Sequence, residues 1–239
     1  MSKIDFHSHI LSGIDDGARN LDTSLNMHQM ARQQEVDFML ATPHFYASQD
    51  RIDTFLKRRD EAMILFRNAV NATDEAEPLL IAGAEVAFFD GISKARDIEK
   101  LTIEGTNLML LEMPFEVWNA GYIKEVEYLM RERNLKILIA HLDRFLLIPG
   151  NKRWIKELLD LPVSVQINAD AFDSWLHTKQ LVKLFKEGKA HVLGSDCHGA
   201  HHRVPNLNEG RAVLEKKAGR ELLKRIDRQG EELLAEVLR

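Results

Sequence analysis

Short runs of Leu, Ile, Val, Met and Ala alternate along the chain with longer segments whose apolar residues recur every three or four positions. The short runs predict strands at Lys3–His7, Asp37–Thr42, Leu79–Val86, Asn107–Met113, Lys136–His141, Val163–Ala169 and His191–Ser195. The longer segments predict helices at Leu21–Gln34, Ile52–Ala72, Gly91–Asp97, Ile123–Asn134, Asn151–Leu159 and Thr178–Glu187, with Asn208–Lys217 and Arg220–Leu238 after the last strand. In Ile52–Ala72 the apolar stripe holds Ile52, Phe55, Leu56, Ala62, Leu65, Phe66 and Ala69, which leaves Lys57 to Asp60 for solvent. Strands that read as nearly unbroken apolar runs suit a parallel sheet with both faces covered. The pattern therefore predicts one α/β domain spanning residues 1–239, with seven βα units in a closed or nearly closed barrel; an open doubly wound sheet gives the same alternation.

Composition narrows the class. With 239 residues, 45% hydrophobic and 29% charged, the chain is an ordinary globular one rather than a disordered, collagenous or coiled-coil one. Lys and Arg number 32 against 37 Asp and Glu, a formal charge of −5, and no basic block exists to hold nucleic acid by counterion release. The longest apolar runs, such as Leu108–Leu111 and Ile137–Ala140, fall far short of the ~20 residues that cross a bilayer, so membrane insertion is not expected. The start, Met-Ser-Lys-Ile-Asp-Phe-His, has no apolar stretch of signal-peptide length, and one cysteine excludes an internal disulfide; the expected location is the cytoplasm.

The chemistry lies where the strands stop being apolar. Six of the seven predicted strands run into His, Asp or Glu: Asp5-Phe6-His7-Ser8-His9, Thr42-Pro43-His44, Gly83-Ala84-Glu85, Leu111-Glu112, Ala140-His141 and Ser195-Asp196-Cys197-His198. In a parallel α/β architecture all carboxyl ends lie on one side, so these residues should converge. His7 and His9 are two apart, as are Asp196 and His198, and two-residue spacing puts each pair on one side of an extended segment. His7, His9, His44, His141 and His198 with Glu85, Glu112, Asp196 and either Asp15 or Asp16 are too costly to crowd together without cations. Nine N and O ligands, Asp16 being preferred to Asp15, suit two or three ions of manganese, iron or zinc. His28, His177, His191, His201 and His202 lack this recurrence and are set aside.

The ordered series His7-Ser8-His9, Asp15-Asp16-Gly17, Thr42-Pro43-His44, Gly83-Ala84-Glu85, Leu111-Glu112-Met113-Pro114, Ala140-His141-Leu142-Asp143-Arg144, Gln166-Ile167-Asn168-Ala169 and Ser195-Asp196-Cys197-His198 resembles the PHP (polymerase and histidinol phosphatase) superfamily. Within it the chain is most similar to the bacterial manganese-dependent protein-tyrosine phosphatases of capsule and exopolysaccharide operons. The resemblance implies a distorted (β/α)7 TIM-like barrel, the PHP fold, with a trinuclear Mn2+ site. One ion would be held by His7, His9, Glu85 and Asp196, a second by Glu85, Glu112 and His141, and a third by Asp16, His44 and His198. Arg144 and Arg203 would take the positions of two phosphate-binding arginines. The resemblance also implies a phosphotyrosine protein substrate, the tail of a tyrosine kinase of polysaccharide export. The chain departs from the pattern at Ser12, where Pro is usual, at Leu142-Asp143, where Pro-Glu is usual, and at His201-His202 before Arg203.

The expected reaction is phosphomonoester hydrolysis, in which a hydroxide bridging two ions attacks phosphorus in line while the arginines grip the phosphoryl oxygens. Three rivals accompany it. The same ligands would serve a phosphatase of small metabolites such as histidinol phosphate, or a noncatalytic metal-binding regulator. Cys197 to Arg203 also has the Cys-x5-Arg spacing of thiol-dependent tyrosine phosphatases, although strand alternation turns Cys197 away from both neighbours.

Overall fold

The computed structural model describes residues 1–72 and 77–238. Among the described residues seven strand positions form a curled parallel sheet, but nine strands occupy them, because two positions are broken in the middle. β1 (Ile4–Ser8) pairs with β2 (Phe38–Ala41), and β2 pairs with β4 (Leu79–Ala82). β3 (His44–Phe45) pairs with β5 (Glu85–Ala87), which continues through β6 (Leu108–Glu112), β7 (Lys136–Ile139), β8 (Ser164–Asn168) and β9 (Val192–Gly194). The ring closes from β9 to β1: His9 N–H donates to Cys197 O at 2.9 Å, and Asp196 N–H to His7 O at 2.8 Å.

The breaks have local causes. Pro43 has no N–H to continue the ladder, so β2 stops at Ala41 and β3 resumes at His44. The predicted strand Leu79–Val86 is likewise two strands separated by Gly83-Ala84. A Cβ on residue 83 would lie 2.4 Å from Ile103 Cδ1, so glycine lets the Ile103 segment wedge against the break. That wedge takes ladder bonds itself, Ile103 N–H to Leu108 O and Glu104 N–H to Ala82 O, both at 2.8 Å. The result is a distorted (β/α)7 barrel.

Helices α1 (Leu21–Gln33), α2 (Ile52–Asn71), α3 (Ala120–Glu132), α5 (Lys152–Leu158), α6 (Trp175–Lys186), α7 (Leu207–Ala218) and α8 (Arg220–Leu233) lie close to the predicted segments, and α4 (Leu142–Phe145) is an additional single turn. Asn20, Asn119 and Ser174 cap α1, α3 and α6 by accepting first-turn N–H groups. The predicted helix Gly91–Asp97 is instead a 3-10 turn, Ile92–Lys94, followed by a second at Ile98–Leu101. Gly91 and Asp97 both take left-handed conformations, φ 77° and 62°, which end a regular helix at each. The last predicted helix stops at Leu233 rather than Leu238, and fully buried Leu234 then joins Ile4, Phe6, Leu40, Ile81, Leu108, Leu110, Leu138, Ala140 and Val192 in an apolar cluster. The larger core packs the strands' other side chains against the helices.

Candidate metal centre

At the carboxyl ends of the strands, side chains from seven chain segments meet. His7, His9, Glu85, His141 and Asp196 are buried to within 2% exposure, Glu112 and His198 nearly so, and His44 reaches the surface. Asp16 stands at the rim, its side chain 68% exposed.

Glu85 sits at the middle. Its Oε2 lies 3.2 Å from His7 Nε2, 3.3 Å from His9 Nε2 and 2.9 Å from His44 Nδ1, and its Oε1 lies 2.8 Å from His141 Nε2. Glu112 Oε1 lies 3.3 Å from the same His141 nitrogen. Asp196 Oδ1 is 3.6 Å from His7 Nε2 and 3.4 Å from His9 Nε2. Asp16 Oδ1 faces His198 Nε2 at 3.4 Å and His44 Nε2 at 3.7 Å.

Supporting acceptors fix how three rings point. His7 Nδ1 faces Gln166 Oε1 at 3.2 Å, His9 Nδ1 faces Asp15 Oδ2 at 2.6 Å, and His198 Nδ1 faces the Asp196 carbonyl at 2.9 Å. Each partner can only accept, so each Nδ1 carries the proton and each Nε2 lone pair is presented inward, the arrangement that orients metal-binding imidazoles. Inside, His7 Nε2 and His9 Nε2 are 3.1 Å apart. Two lone pairs facing each other at that distance among carboxylates call for a positive charge between them. Buried His44 Nδ1, Glu85 Oε2 and His198 Nε2 also have no hydrogen-bond partner, and a cation among them would supply one. Three sets place one ligand atom each within 4.8 Å of one another: His9, Asp16, His44 and His198; His7, His9 and Glu85; and His44, Glu85 and Glu112. The residues fit two or three divalent ions of N/O preference.

The field of the site points the same way. Burial opposes charge on His9, but its bonds to Asp15, Asp196 and Glu85 outweigh it and hold the imidazole well above its ordinary value. His141 rises to about 9 because Glu112 and Glu85 overcome its burial, and Glu85 overcomes burial to raise His44. Burial would lift Glu85 and Asp196, yet the surrounding imidazoles, His7 foremost, hold both well below the carboxylate range. His198 falls to about 4, chiefly from burial and then from the charge of His9. The cluster attracts positive charge inward.

Asp15 and Asp16, the pair left open by the sequence, have separate places. Asp15 makes the Asx turn, accepting Gly17 N–H at 3.0 Å, and its other oxygen accepts from His9 Nδ1 and from His44 N–H at 2.8 Å. Burial is overcome there by His9 and the two N–H groups, and the carboxyl is held at about 2. Arg144 and Arg203 both reach Asp196: Arg144 Nη2 lies 2.5 Å from Oδ2 and Arg203 Nη2 lies 2.6 Å from Oδ1. Arg144 therefore does not pair with Asp143, which accepts from Asn168 N–H instead. His141, Asp196 and Arg203 also hold positive φ angles of 29°, 51° and 48°, conformations that cost energy and gather at working sites.

Reading the chain for ionisable ligands alone leaves out the parts that hold them. Gln166 Oε1 accepts His141 N–H at 2.6 Å as well as facing His7, and Gln166 Nε2 donates to Asn168 Oδ1, whose own amide donates to Asp196 Oδ2. Buried Asp5 accepts from the N–H groups of Ser195 and His7. A Cβ on residue 194 would lie 2.6 Å from His7 Cβ and 2.8 Å from Gln166 Nε2, so only glycine lets β9 approach β1 there. Tyr46 lies beside His44 and exposed Phe115 beside His141, with ring centroids 5.0 and 5.8 Å apart. Their signal was their place next to ligand motifs. Cys197 is fully buried, and burial together with the charge of Asp5 and Asp196 pushes its thiol well above the ordinary range, against a nucleophilic thiolate.

Cavities of about 600 and 460 Å³ flank the rim, the first lined by Tyr46, Asp50 and Arg58, the second by Arg19, His202 and Arg203. Asp16 borders both. Among the described residues no helix is long and apolar enough to cross a membrane.

The chain is 27% identical over 227 residues to the tyrosine-protein phosphatase YwqE of Bacillus subtilis, covering 92% of this chain and 86% of that protein. It is 24% identical over 233 residues to the tyrosine-protein phosphatase CpsB of Streptococcus agalactiae, covering 91% and 92%. Its fold is similar to the crystal structures of YwqE from B. subtilis and CpsB from Streptococcus pneumoniae, described as unique metal-dependent tyrosine phosphatases, with a TM-score of 0.82, 24% identity and coverage of 98% and 94%. The histidinol phosphate phosphatase of Lactococcus lactis, solved with zinc, L-histidinol and phosphate, is more distant, with a TM-score of 0.57 at 14% identity and coverage of 91% and 94%. The family described as capsular polysaccharide synthesis, CpsB/CapC, matches residues 3–235, and the chain belongs to it.

Proposed function

We propose that the chain is a metal-dependent protein-tyrosine phosphatase whose centre is held by His7, His9, Asp16, His44, Glu85, Glu112, His141, Asp196 and His198. The observation that carries the reading is the inward convergence of five imidazoles on buried Glu85 and Asp196, with Nδ1 of His7, His9 and His198 already committed to outer acceptors. Two or three divalent ions, Mn2+ by preference with Fe or Zn as substitutes, would supply an activated water at neutral pH and neutralise the phosphoryl oxygens. Asp15, Gln166 and the Asp196 carbonyl keep the rings aimed inward and prevent Nδ1 from competing as a ligand. Arg144 and Arg203 lie half-exposed on opposite oxygens of Asp196. From there each guanidinium can turn to a phosphoryl oxygen, binding the substrate and the in-line transition state with paired N–H donors.

The relatives' names favour phosphotyrosine over a small metabolite, and the open flanking cavities suit a residue presented on a flexible protein tail. We assign as partner the tail of a tyrosine kinase of polysaccharide export, and as location the cytoplasm.

The test is turnover of a phosphotyrosyl peptide, a phosphoseryl peptide and histidinol phosphate with added manganese. The phosphotyrosyl peptide should be preferred, chelation should abolish turnover, and manganese should restore it. His44→Ala should lose activity and Cys197→Ser should keep it; loss in the serine variant alone would overturn the metal reading.

A further inference from the structure

Away from the metal centre, α6 and α7 enclose a groove of about 740 Å³, larger than either cavity at the rim. Its apolar lining is Phe172, Trp175, Val182 and Val213. Its charged lining is Lys179, Lys183 and Lys186 from α6 and Lys216 and Lys217 from α7, against the single acid Glu187. Five lysines around one groove run against the −5 formal charge of the chain. At the start of α6, Trp175 and Leu176 are 69% and 71% exposed, a large apolar area to leave in water. Lys179 Nζ lies 5.4 Å from the Trp175 ring centroid, so charge and aromatic surface are presented together.

The groove is connected to the centre by a short path. Asn168, which ends β8, donates to Asp196, and residues 169–174 alone separate it from α6. α6 follows β8 through that short segment, and the groove along it runs ~18 Å, the length of a 12-residue helix. About five or six residues of extended peptide span that distance.

We propose that this groove docks an acidic segment of the protein substrate, its carboxylates on the lysines and its apolar side chains on the floor, while the phosphotyrosine sits at the metal centre. The assignment rests on the phosphatase reading for the substrate's identity, but the docking is separable from it. Charge complementarity selects an acidic partner, and two helical walls around an apolar floor fit an extended peptide better than a flat layer of lipid headgroups.

The experiment uses the full chain with manganese and two phosphotyrosyl peptides, one short and one extended by an alternating acidic and apolar segment. Lys183→Glu combined with Lys216→Glu, and separately Trp175→Ala, should raise KM for the extended peptide about tenfold and leave kcat unchanged. Both constants for the short peptide should stay at wild-type values, and high salt should reproduce the lysine effect in the wild type. A labelled, unphosphorylated extension should bind the wild type and not the double variant by fluorescence anisotropy, a result that stands even if no phosphopeptide is hydrolysed. Equal binding by wild type and variants overturns the proposal. So does a wild type that ignores the peptide while binding phosphatidylglycerol vesicles, or dimerising, in a manner the variants lose.

Discussion

Nearer their amino-terminal ends the barrel strands give Ile4, Leu40, Ile81, Leu108, Leu138 and Val192 to one apolar cluster, while in the carboxyl-terminal parts of the same strand positions, or just beyond them, stand His9, His44, Glu85, Glu112, His141 and Asp196. On β6 the change happens within one face: Leu108, Leu110 and Glu112 follow at two-residue steps. The apolar end is complete in itself, since its side chains fill one another's space. The polar end gathers buried charge whose desolvation is repaid only by close partners. Histidine shows the contrast most directly. His141 is held up to about 9 by Glu112 and Glu85 in spite of burial, whereas at the amino end of β9 burial and the charge of Arg225 push His191 below its ordinary value. One end is built for stability and the other for positive charge.

The sharpest way to break this division is Glu85→Gln, which keeps volume and removes the charge that four imidazoles share. Hydrolysis of a phosphotyrosyl peptide should fall by more than about a hundredfold at saturating manganese, because losing a central ligand costs at least as much as losing an outer support. The unfolding midpoint in denaturant should move little. Full activity in this variant would place the reaction elsewhere. Leu108→Ala probes the opposite end, at the first residue of β6: it should lower stability by about 2–5 kcal/mol through the lost contacts and the cavity left behind. At a temperature where the variant is folded, kcat should match the wild type; a loss of kcat without a loss of stability would show that the two ends are one unit.

Asp15→Asn sharpens the division inside the polar end, since it leaves every proposed ligand in place and alters the carboxylate that aims the His9 ring and accepts the His44 backbone N–H. Manganese affinity, followed by equilibrium dialysis, should weaken about 10–100-fold, with activity recovered at high manganese. Unchanged affinity would mean that the ring of His9 is fixed by packing alone.

The contrast between the ends also explains what could be read from the chain. Buried strands such as Leu108–Glu112 and Lys136–Ile139 were legible because both of their faces need apolar residues, and the ligands because charged residues interrupt such runs at matching positions. The break in Leu79–Val86 was not, because it depends on Ile103 packing over Gly83 from a distant segment. The helix expected at Gly91–Asp97 failed for a local reason that periodicity does not carry, the left-handed backbone at both of its ends. Gln166 was the least legible part of the centre. An amide has no charge to mark it, and its role exists only once β7 and β8 bring His141 N–H and His7 Nδ1 to one oxygen.

The smallest expected effect tests the histidine contrast at the apolar end. His191 Nδ1 accepts Val165 N–H at 3.0 Å, a bond that requires the nitrogen to be unprotonated. Its folded-state value lies below the ordinary 6.5 because burial, and then Arg225, oppose the charged ring, so the unfolded chain is the state that takes up the proton as pH falls. This contribution to stability is therefore complete above pH 6.5 and is lost as pH falls through the lowered folded-state value. In His191→Asn the side-chain oxygen can replace Nδ1 as acceptor but cannot titrate. At pH 8 the variant should lie within about 1 kcal/mol of the wild type, the worth of one hydrogen bond. Below pH 6.5 the gap should shift in the variant's favour, read as the difference between two urea-unfolding series, so that the other titrating groups cancel. Parallel series would mean that the folded protein tolerates a charged ring at the foot of β9, and the two ends would then no longer differ in how they treat the same side chain.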